Sequence, residues 1–426
     1  MQYLSTRDSA LRVSAQEAIV RGLAPQSGLF VPETFPQADL DAWKNLSYPE
    51  LAEKVLAGFL TDYSADFLHT ATASTYGAAF GGKAGETVEV RDGLYSLELW
   101  HGPTCAFKDY ALQLMPKLLV EAKKMLGRTE TTRILVATSG DTGKAALAGY
   151  ADLDGIEIEV FYPNDGTSEI QHLQMATQKG ENVQVYAVQG NFDDAQTGVK
   201  KVFADADVAA ELEKRGIRLS SANSINWGRL VPQIVYYFYA YFRLAEQGAV
   251  EWGKPVDFCV PTGNFGDILA GYYAKQMGLP VGRLVCASNK NNVLTDFLRT
   301  GTYDARRTFY KTTSPSMDIL ISSNLERLLY HVSGSSERSR AGCRSFPPPA
   351  STPLTPRRWQ KSSRASPQAT PTMPTVLLKS RPALTATTTS ATPTPPWPSA
   401  WPRPGAPTRR WSCSPRPARS SSRATS

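Results

Sequence analysis

The sequence predicts an α/β protein built on mainly parallel, twisted sheets with helices on both faces. From residue 88 onward, short apolar runs typical of buried strands alternate with stretches of helical spacing. Several of these strands run into glycine-bearing loops that open a helix. The length of 426 residues allows two or three domains and a sizeable core. Alternating strands and helices of this kind give parallel strands under a helical cover.

The N-terminal part is predicted to be a small helical lead-in domain. Helical spacing covers Ser14–Leu23 and indicates one or two further helices over Asp41–Tyr63. After about Gly334 the composition changes abruptly, to a low-complexity tail rich in Pro, Ser, Arg and Thr. The predicted division is residues 1–95, an α/β region in two lobes at 96–334, and the tail at 335–426.

Within the α/β region the apolar pattern places each element. Strands are predicted over residues 133–137, 157–162, 183–188, 256–261 and 283–287. Helices are predicted from Phe107 to Ala122, over Lys144–Ala151, over most of Phe192–Arg215, over Leu230–Ala245, and from after Asp267 to about Met277.

Lys108 is the candidate catalytic residue. It follows the apolar stretch Leu97–Trp100 and the turn-forming stretch His101–Thr104, in the first turn of the next helix. A buried lysine with a lowered pKa can form a Schiff base with a carbonyl cofactor and later act as a base. A lone lysine in the first turn of a helix is more often exposed to solvent and without a catalytic role. Other motifs are needed to favour the catalytic interpretation.

Two polar loops at strand ends supply those motifs. The loop Thr262–Asp267 offers successive backbone N–H groups at a helix start, which suits a phosphate. The loop Thr138–Lys144 adds hydroxyl groups, which suits a carboxylate, and neither loop has the spacing of a Walker motif. Either loop alone is as consistent with a structural turn. Together with Lys108 they specify a phosphorylated carbonyl cofactor and an amino-acid substrate.

The chain resembles the threonine synthase family, pyridoxal-phosphate enzymes of the tryptophan-synthase-β type, in its longer bacterial and fungal form. The matching motifs occur in the family's order over residues 1 to about 334: Ser27–Pro32, His101–Thr104 with Phe107–Asp109, Thr138–Gly143, Asn223–Arg229, Pro261–Asp267, Ser314–Ile319 and Ser323–Arg327.

This resemblance implies a role for each motif. Lys108 binds pyridoxal 5'-phosphate as a Schiff base. The cofactor phosphate is bound by Gly263, Asn264, Phe265, Gly266 and Asp267. The substrate is bound by Thr138, Ser139, Gly140, Asp141, Thr142, Asn223, Ser224, Asn226 and Arg229. Arg229 is the natural partner of the substrate phosphate, since a guanidinium can donate two parallel hydrogen bonds to it; a structural ion pair is the alternative.

The implied reaction converts O-phospho-L-homoserine and water to L-threonine and phosphate. It requires two phosphate sites, one for the cofactor and one for the substrate. The alternative is another enzyme of the same cofactor class, such as a serine/threonine dehydratase or a β-replacement synthase. Those enzymes need no second phosphate site.

Composition excludes several other functions. The net charge of +7 arises in the tail, because residues 1–337 hold 31 basic and 39 acidic residues. Nucleic-acid binding would depend on that tail alone. The five cysteines and four histidines have no metal-site spacing, no apolar run is long enough for a membrane span, and Met1–Asp8 does not look like a signal peptide. The expectation is a cytoplasmic enzyme without a metal, of undetermined oligomeric state.

The tail composition favours a shifted reading frame. Residues 338–426 contain no Asp or Glu and hold 18 of the 30 prolines. Taken literally, this is a disordered basic tail. Back-translation of Thr392–Pro398 in a shifted frame can give Asp-Pro-His-Thr-Ala-Val-Ala, and Pro415–Ser422 can give Ala-Thr-Ala-Arg-Pro-x-Lys-Phe. Both resemble C-terminal segments of the family, the second of which carries a small hydroxyl residue near the pyridine nitrogen.

Overall fold

The computed structural model describes residues 1–138, 140–164, 167–190, 192–337, 339 and 383–387. The chain divides into two compact units, Met1–Ser390 and Ala391–Ser426, and every described residue lies in the first. The expectation of a disordered tail falls mostly outside the described residues, but at Ala383–Thr387, which are described, the chain forms a strand. Within these residues, none of the helices combines the length and apolar character that crossing a membrane requires.

The N-terminal region is helical, as predicted, and also contains a small antiparallel sheet that the sequence pattern did not predict. Its elements are β1 (Tyr3–Ser5), β2 (Arg12–Val13), α1 (Ala15–Arg21), β3 (Phe30–Pro32), α2 (Leu40–Trp43), α3 (Tyr48–Phe59) and α4 (Ala65–Tyr76). The strand order is β2-β1-β3. Strands of two or three residues are too short to produce a visible alternation of apolar and polar residues.

Two larger sheets follow, and they confirm the prediction of mainly parallel pairing. The strands are β4 (Glu86–Arg91), β5 (Leu94–Glu98), β6 (Thr131–Ala137), β7 (Ile156–Pro163), β8 (Val183–Val188), β9 (Ile217–Ser220), β10 (Val256–Pro261), β11 (Val281–Ala287) and β12 (Ala383–Thr387). One sheet has the order β11-β10-β12-β5-β4, in which only β4 and β5 pair antiparallel. The other, β8-β7-β6-β9, is parallel throughout.

Helices connect these strands and bring their carboxyl ends to a common region. They are α5 (Asp109–Leu112), α6 (Met115–Met125), α7 (Asp141–Tyr150), α8 (Glu169–Ala176), α9 (Phe192–Ala204), α10 (Ala206–Lys214), α11 (Trp227–Leu230), α12 (Val235–Glu246), α13 (Gly266–Gln276), α14 (Val293–Thr300) and α15 (Leu325–Ser333). Short 3₁₀ turns cover Val231–Ile234 and Pro315–Met317.

The prediction of one continuous helix from Phe107 to Ala122 is wrong, because the chain breaks between α5 and α6. Pro116 has no N–H, so the carbonyl oxygen of Leu112 lacks its intrahelical donor. Gly149 of α7 approaches that carbonyl, and a Cβ at Gly149 would lie 2.0 Å from the Leu112 oxygen. The break therefore lets α7 pack closely against α5, the helix that Lys108 precedes.

A continuous core of buried side chains joins the N-terminal region to the larger sheets. Tyr3 of β1 packs against Trp227 of α11, with ring centroids 5.2 Å apart. Tyr110 of α5 packs edge-on against Tyr236 of α12, with ring centroids 5.7 Å apart. Aromatic pairs of this geometry add about 0.5–1.5 kcal/mol each beyond their buried area. They fix the helices that carry the polar loops described below.

Candidate active site

Lys108 lies immediately before α5, at the end of a loop that wraps around the Asp109 carboxylate. The backbone N–H of Thr104 donates to Asp109 Oδ2 at 2.8 Å, and the Thr104 hydroxyl donates to Oδ1 at 2.6 Å. A Cβ at Gly102 would lie 2.6 Å from the Asp109 side chain, so only glycine fits there. The motif His101–Thr104 thus fixes the backbone from which Lys108 projects.

The Lys108 amine is buried between two polar side chains. Its Nζ donates to Ser316 Oγ at 2.9 Å and lies 3.4 Å from Asp141 Oδ2. Burial lowers the pKa of Lys108, Asp141 opposes that effect, and the nearby Arg229 adds to it, so that the pKa lies below its ordinary value. A lysine in this environment gives up its proton more readily than one in water.

Asp141 opens α7 and is held on both carboxylate oxygens. Gln171 Nε2 donates to Oδ1 at 2.6 Å, while the Ser316 hydroxyl donates to Oδ2. Burial alone would raise the pKa of Asp141, but Lys108, Ser316 and Gln171 hold it below its usual value. Gly140 makes this arrangement possible, because its φ is 141° and a Cβ there would lie 2.4 Å from the Gln171 amide carbon.

The rest of the predicted carboxylate loop shapes the backbone around Asp141. Thr138 Oγ1 accepts hydrogen bonds from the N–H groups of Gly140 at 2.9 Å and Gly143 at 3.0 Å, so its hydroxyl is used within the loop. Thr142 is half-buried in the first turn of α7. Ser139 lies outside the described residues.

The second predicted loop, Gly263–Asp267, packs against the turn that carries Ser316. A Cβ at Gly263 would lie 3.2 Å from the Ser316 carbonyl oxygen and 3.0 Å from Ile319. Phe265 has a φ of 66°, in the left-handed region, which turns the chain into α13. Among the described residues, no acceptor binds the backbone N–H groups of Asn264–Asp267. These groups, at the start of an eleven-residue helix, suit an anion.

The Asp267 side chain points away from this cradle. Its Oδ1 accepts hydrogen bonds from the hydroxyls of Tyr236 at 2.6 Å and Tyr237 at 2.8 Å, and its Oδ2 is buried without a hydrogen-bond partner among the described residues. Burial raises the pKa of Asp267 to about 6. Asp267 can therefore contribute to an anion site only through its backbone N–H.

We expect Asp267→Asn to remove a pH-dependent cost of folding. The folded protein binds the Asp267 proton more tightly than the unfolded chain, so this group destabilises the fold as pH rises from about 4 to about 6. A difference of roughly two pKa units corresponds to about 3 kcal/mol. Asparagine keeps an oxygen for the two tyrosines. Urea unfolding from pH 4 to 7 should therefore show the variant gaining stability over the parent with rising pH. Asp66→Asn, at an exposed position, serves as control. If the unfolding free energies of Asp267→Asn and the parent changed in parallel with pH, the expectation would be contradicted.

The predicted segment Asn223–Arg229 has mixed roles. Asn226 is structural, since its Oδ1 caps α11 at Gly228 and its Nδ2 donates to the Ile19 carbonyl at 3.0 Å. Ser224 lies 3.1 Å, hydroxyl to hydroxyl, from Ser323, which donates to Asn264 Oδ1 at 3.2 Å. This places Ser224 beside the glycine loop.

Asn223 and Arg229 complete the segment. The Asn223 backbone N–H donates to Ser221 Oγ at 3.2 Å, and its side chain has no hydrogen-bond partner within the described residues. Arg229 is 4% exposed; its Nη1 donates to the Ala222 carbonyl, and its Nε has no hydrogen-bond partner in the part of the chain described. Burial lowers the pKa of Arg229 to about 10. A buried guanidinium with an unused donor, close enough to Lys108 to influence its pKa, is suited to a phosphate.

Arg327 of α15 joins the segments that form the site. Its Nε donates to the Phe30 carbonyl at 2.8 Å, its Nη2 donates to the Ile225 carbonyl at 2.6 Å, and its Nη1 donates to Asn324 Oδ1. Asn324 in turn donates to the Asn264 carbonyl at 3.1 Å. One buried guanidinium therefore ties the N-terminal sheet to both the glycine loop and the Arg229 segment.

Two residues of the site, Ser316 and Gln171, were not singled out by the sequence. Ser316 belongs to Ser314–Ile319, one of the motifs that carried the family resemblance, but that motif suggested no role for it. Gln171 stands in a Ser-x-x-Gln capping box at the start of α8, which predicts a helix start and gives no sign of contact with Asp141.

Glu86, Glu98 and His101 are the one group within the described residues whose spacing could hold a metal ion. His101 Nε2 lies 2.7 Å from Glu98 and 3.1 Å from Glu86, and Lys83 lies 3.3 Å from Glu86. These side chains pair with one another and lock the start of the Lys108 loop to β4.

The residues present fit pyridoxal phosphate. The Lys108 amine lies 2.9 Å from Ser316, whose turn packs against the glycine loop, so a reactive amine and an anion cradle flank one turn. The N–H groups of the cradle are without acceptors among the described residues, as a phosphate site requires.

Comparison with protein families agrees with this geometry. Residues 2–76 match the family described as "Threonine synthase N terminus", and residues 85–345 match "Pyridoxal-phosphate dependent enzyme". Among solved structures, the chain is similar to a pyridoxal-phosphate-bound threonine synthase from Brucella melitensis, with 37% identity, a TM-score of 0.77, and coverage of 85% of this chain and 76% of that one. The yeast threonine synthase structure is similar at 36% identity, with a TM-score of 0.76 and coverage of 85% and 75%.

Curated relatives carry the same family name. The chain is 44% identical to human Threonine synthase-like 1 over 350 residues, which is 77% of this chain and 47% of the human protein, so it spans about half the length of that relative. It is 43% identical to threonine synthase of Pseudomonas aeruginosa over 338 residues, which is 78% of this chain and 69% of the bacterial protein. The chain belongs to the threonine synthase family of pyridoxal-phosphate dependent enzymes.

Proposed function

We propose that the protein is a threonine synthase, a lyase that converts O-phospho-L-homoserine and water to L-threonine and phosphate in threonine biosynthesis. One observation carries this proposal: the buried Lys108 amine lies close to two separate anion-binding elements, the Gly263–Asp267 cradle and the Arg229 guanidinium. A reaction that uses a phosphorylated cofactor and a phosphorylated substrate needs both elements.

Each element has a distinct task in this proposal. Pyridoxal phosphate, when bound, supplies a carbonyl for covalent attachment and a ring that withdraws electrons from the substrate. Lys108 Nζ would hold the cofactor through that carbonyl and, as a neutral amine, would remove the proton from the substrate Cα. The N–H groups of Asn264–Asp267 hold the cofactor phosphate.

The substrate is bound by the remaining predicted residues. In this proposal Ser139–Thr142 bind its carboxylate, and Arg229, with Asn223 and Ser224 of the same segment, binds its phosphate. Asn226 supports the segment by capping α11, and Thr138 supports the carboxylate loop through its two N–H contacts. Lys108, Asp141 and Arg229 are buried, which limits the access of bulk water. In the proposed reaction, phosphate leaves from Cγ and one water adds at Cβ.

Product formation separates this proposal from its alternative. Purified protein with pyridoxal phosphate should release inorganic phosphate from O-phospho-L-homoserine and accumulate threonine. A serine/threonine dehydratase, the second candidate, would instead release ammonia from threonine or serine. Ammonia release without phosphate release would overturn the proposal. A small-molecule substrate, with no nucleic-acid partner, is part of the same proposal.

The proposed location is the cytoplasm. Cys105, Cys259 and Cys286 are free thiols among the described residues, which is consistent with a reducing compartment.

The proposed domain division is 1–95, 96–334 and 335–426, and we propose that the last part is encoded out of frame. The match to the enzyme family ends at residue 345, close to the change in composition. Resequencing the gene across the codons for Val332–Arg340 tests this proposal. A single inserted or missing base is the expected result, and an intact frame would refute it.

A further inference from the structure

Ser316 stands between the two charged groups of the site. Its Oγ lies 2.9 Å from Lys108 Nζ, whereas Asp141 Oδ2 is 3.4 Å from the same nitrogen. Charge-assisted hydrogen bonds between an ammonium and a carboxylate are usually 2.7–2.9 Å, so the serine, rather than the aspartate, is the close partner of the amine.

The chemistry of the three groups fixes the direction of each hydrogen bond. The Asp141 carboxylate can only accept, so the single hydrogen of the Ser316 hydroxyl is donated to Oδ2. The Ser316 lone pairs then face the Lys108 ammonium, which donates to them. The result is a continuous path for a proton from Nζ through Oγ to Oδ2.

Both ends of this path are rigidly held. The Asp318 carboxylate accepts hydrogen bonds from Asn289 at 2.7 Å, from Asn291 at 3.0 Å, and from the Thr312 hydroxyl at 2.7 Å, which fixes the turn that carries Ser316. At the other end, Gln171 occupies Asp141 Oδ1, which leaves Oδ2 for the serine. These supports keep the hydroxyl aligned between the two charges.

We propose that Ser316 acts on the reaction through Lys108: its hydroxyl relays a proton between Lys108 Nζ and Asp141 Oδ2. As Nζ releases a proton to Oγ, the Oγ hydrogen passes to Oδ2, which leaves a neutral amine, an unchanged serine and a neutral carboxylic acid. The reverse transfer returns the proton to Nζ. An amine must be neutral to attack a carbonyl, so the relay prepares Lys108 for covalent binding. This inference rests on the proposed role of Lys108 as the residue that binds the cofactor.

The test follows covalent binding of pyridoxal phosphate to the full chain by stopped-flow absorbance between pH 6 and 9.5. Borohydride reduction and peptide mass spectrometry then locate the modified residue. We expect Ser316→Ala to slow covalent binding at least about tenfold near neutral pH, because a general acid–base contribution is lost. The rate of binding in this variant should approach that of the parent as rising pH deprotonates Lys108 directly. Ser316→Thr, which keeps the hydroxyl, should stay within about threefold of the parent.

A matched variant separates the relay from damage to the turn. Ser314 lies on the same turn and bonds with Asn289 and Thr312, without contacting Lys108. Ser314→Ala should retain the parental pH profile, with folding checked by circular dichroism. Equal losses in the Ser314→Ala and Ser316→Ala variants, or an unchanged profile in Ser316→Ala, would overturn the relay. Failure of the parent protein to be modified at Lys108 would instead overturn the proposed function.

Discussion

Replacing Lys108 with alanine should abolish covalent cofactor binding and lower the turnover of O-phospho-L-homoserine by at least about 10³-fold, because no other group can replace both the covalent link and the base. The absorbance band of the covalently bound cofactor should disappear from the spectrum of the variant. The removal also leaves Asp141 buried beside Ser316 without its cation, so thermal unfolding should be measured alongside activity.

Two further variants sharpen this test. Lys108→Arg keeps a positive charge for Asp141 but cannot form the covalent link, so it should fold better than Lys108→Ala and remain equally inactive. Lys117→Ala removes a lysine that bonds with Ser74 and Thr75, and it should retain the cofactor band. A cofactor band that persists in Lys108→Ala would exclude Lys108 as the attachment site.

The second large effect concerns Arg229. We expect Arg229→Met to lower kcat/KM for O-phospho-L-homoserine by about 10²–10³-fold, chiefly through KM, because loss of a buried charged partner costs about 2–5 kcal/mol. Inhibition by inorganic phosphate should weaken in parallel. The kcat/KM of Arg229→Lys should lie between those of the parent and Arg229→Met, since an ammonium keeps the charge but cannot make the bidentate contact. The cofactor band should persist in both variants, because Lys108 and the Gly263–Asp267 cradle are intact.

Stability distinguishes this role from a structural one. The Arg229 guanidinium is buried with an unused Nε donor among the described residues, so its replacement by an apolar side chain should cost little folding energy. A variant with a large loss of stability and an unchanged KM would identify Arg229 as structural.

The sequence was most informative where local pattern determines structure. Each predicted strand lies within one or two residues of an observed one, because buried parallel strands form continuous apolar runs. The loops that follow β6 and β10 could be located from the ends of these apolar runs, and the position of Lys108 at a helix start from the turn-forming residues before it and the helical spacing after it. The break after α5 has a local signal in Pro116, which the apolar spacing outweighed in the prediction, whereas the packing of Gly149 against Leu112 has none.

Contacts between distant residues explain the other omissions. Ser316 meets Lys108 across 208 residues of sequence, so neither residue's neighbours reveal the pairing. The side chain of Asp267 is directed by the tyrosines of α12, although its place in a glycine loop suggested that it would face a ligand. Sequence pattern thus located the loops of the site, whereas tertiary packing decided which side chains enter it.

The three contacts of Arg327 have a consequence for how the protein is made. A ribosome that has synthesised the lysine loop, the glycine loop and Arg229 still has not released the residue that ties them to Phe30, 297 positions earlier in the chain. Nascent chains shorter than about 330 residues should therefore hold these loops loosely and expose them to proteases and chaperones. Release of α15 from the exit tunnel is therefore required before the active site can close during translation, and β12, which pairs with both β10 and β5, follows later still.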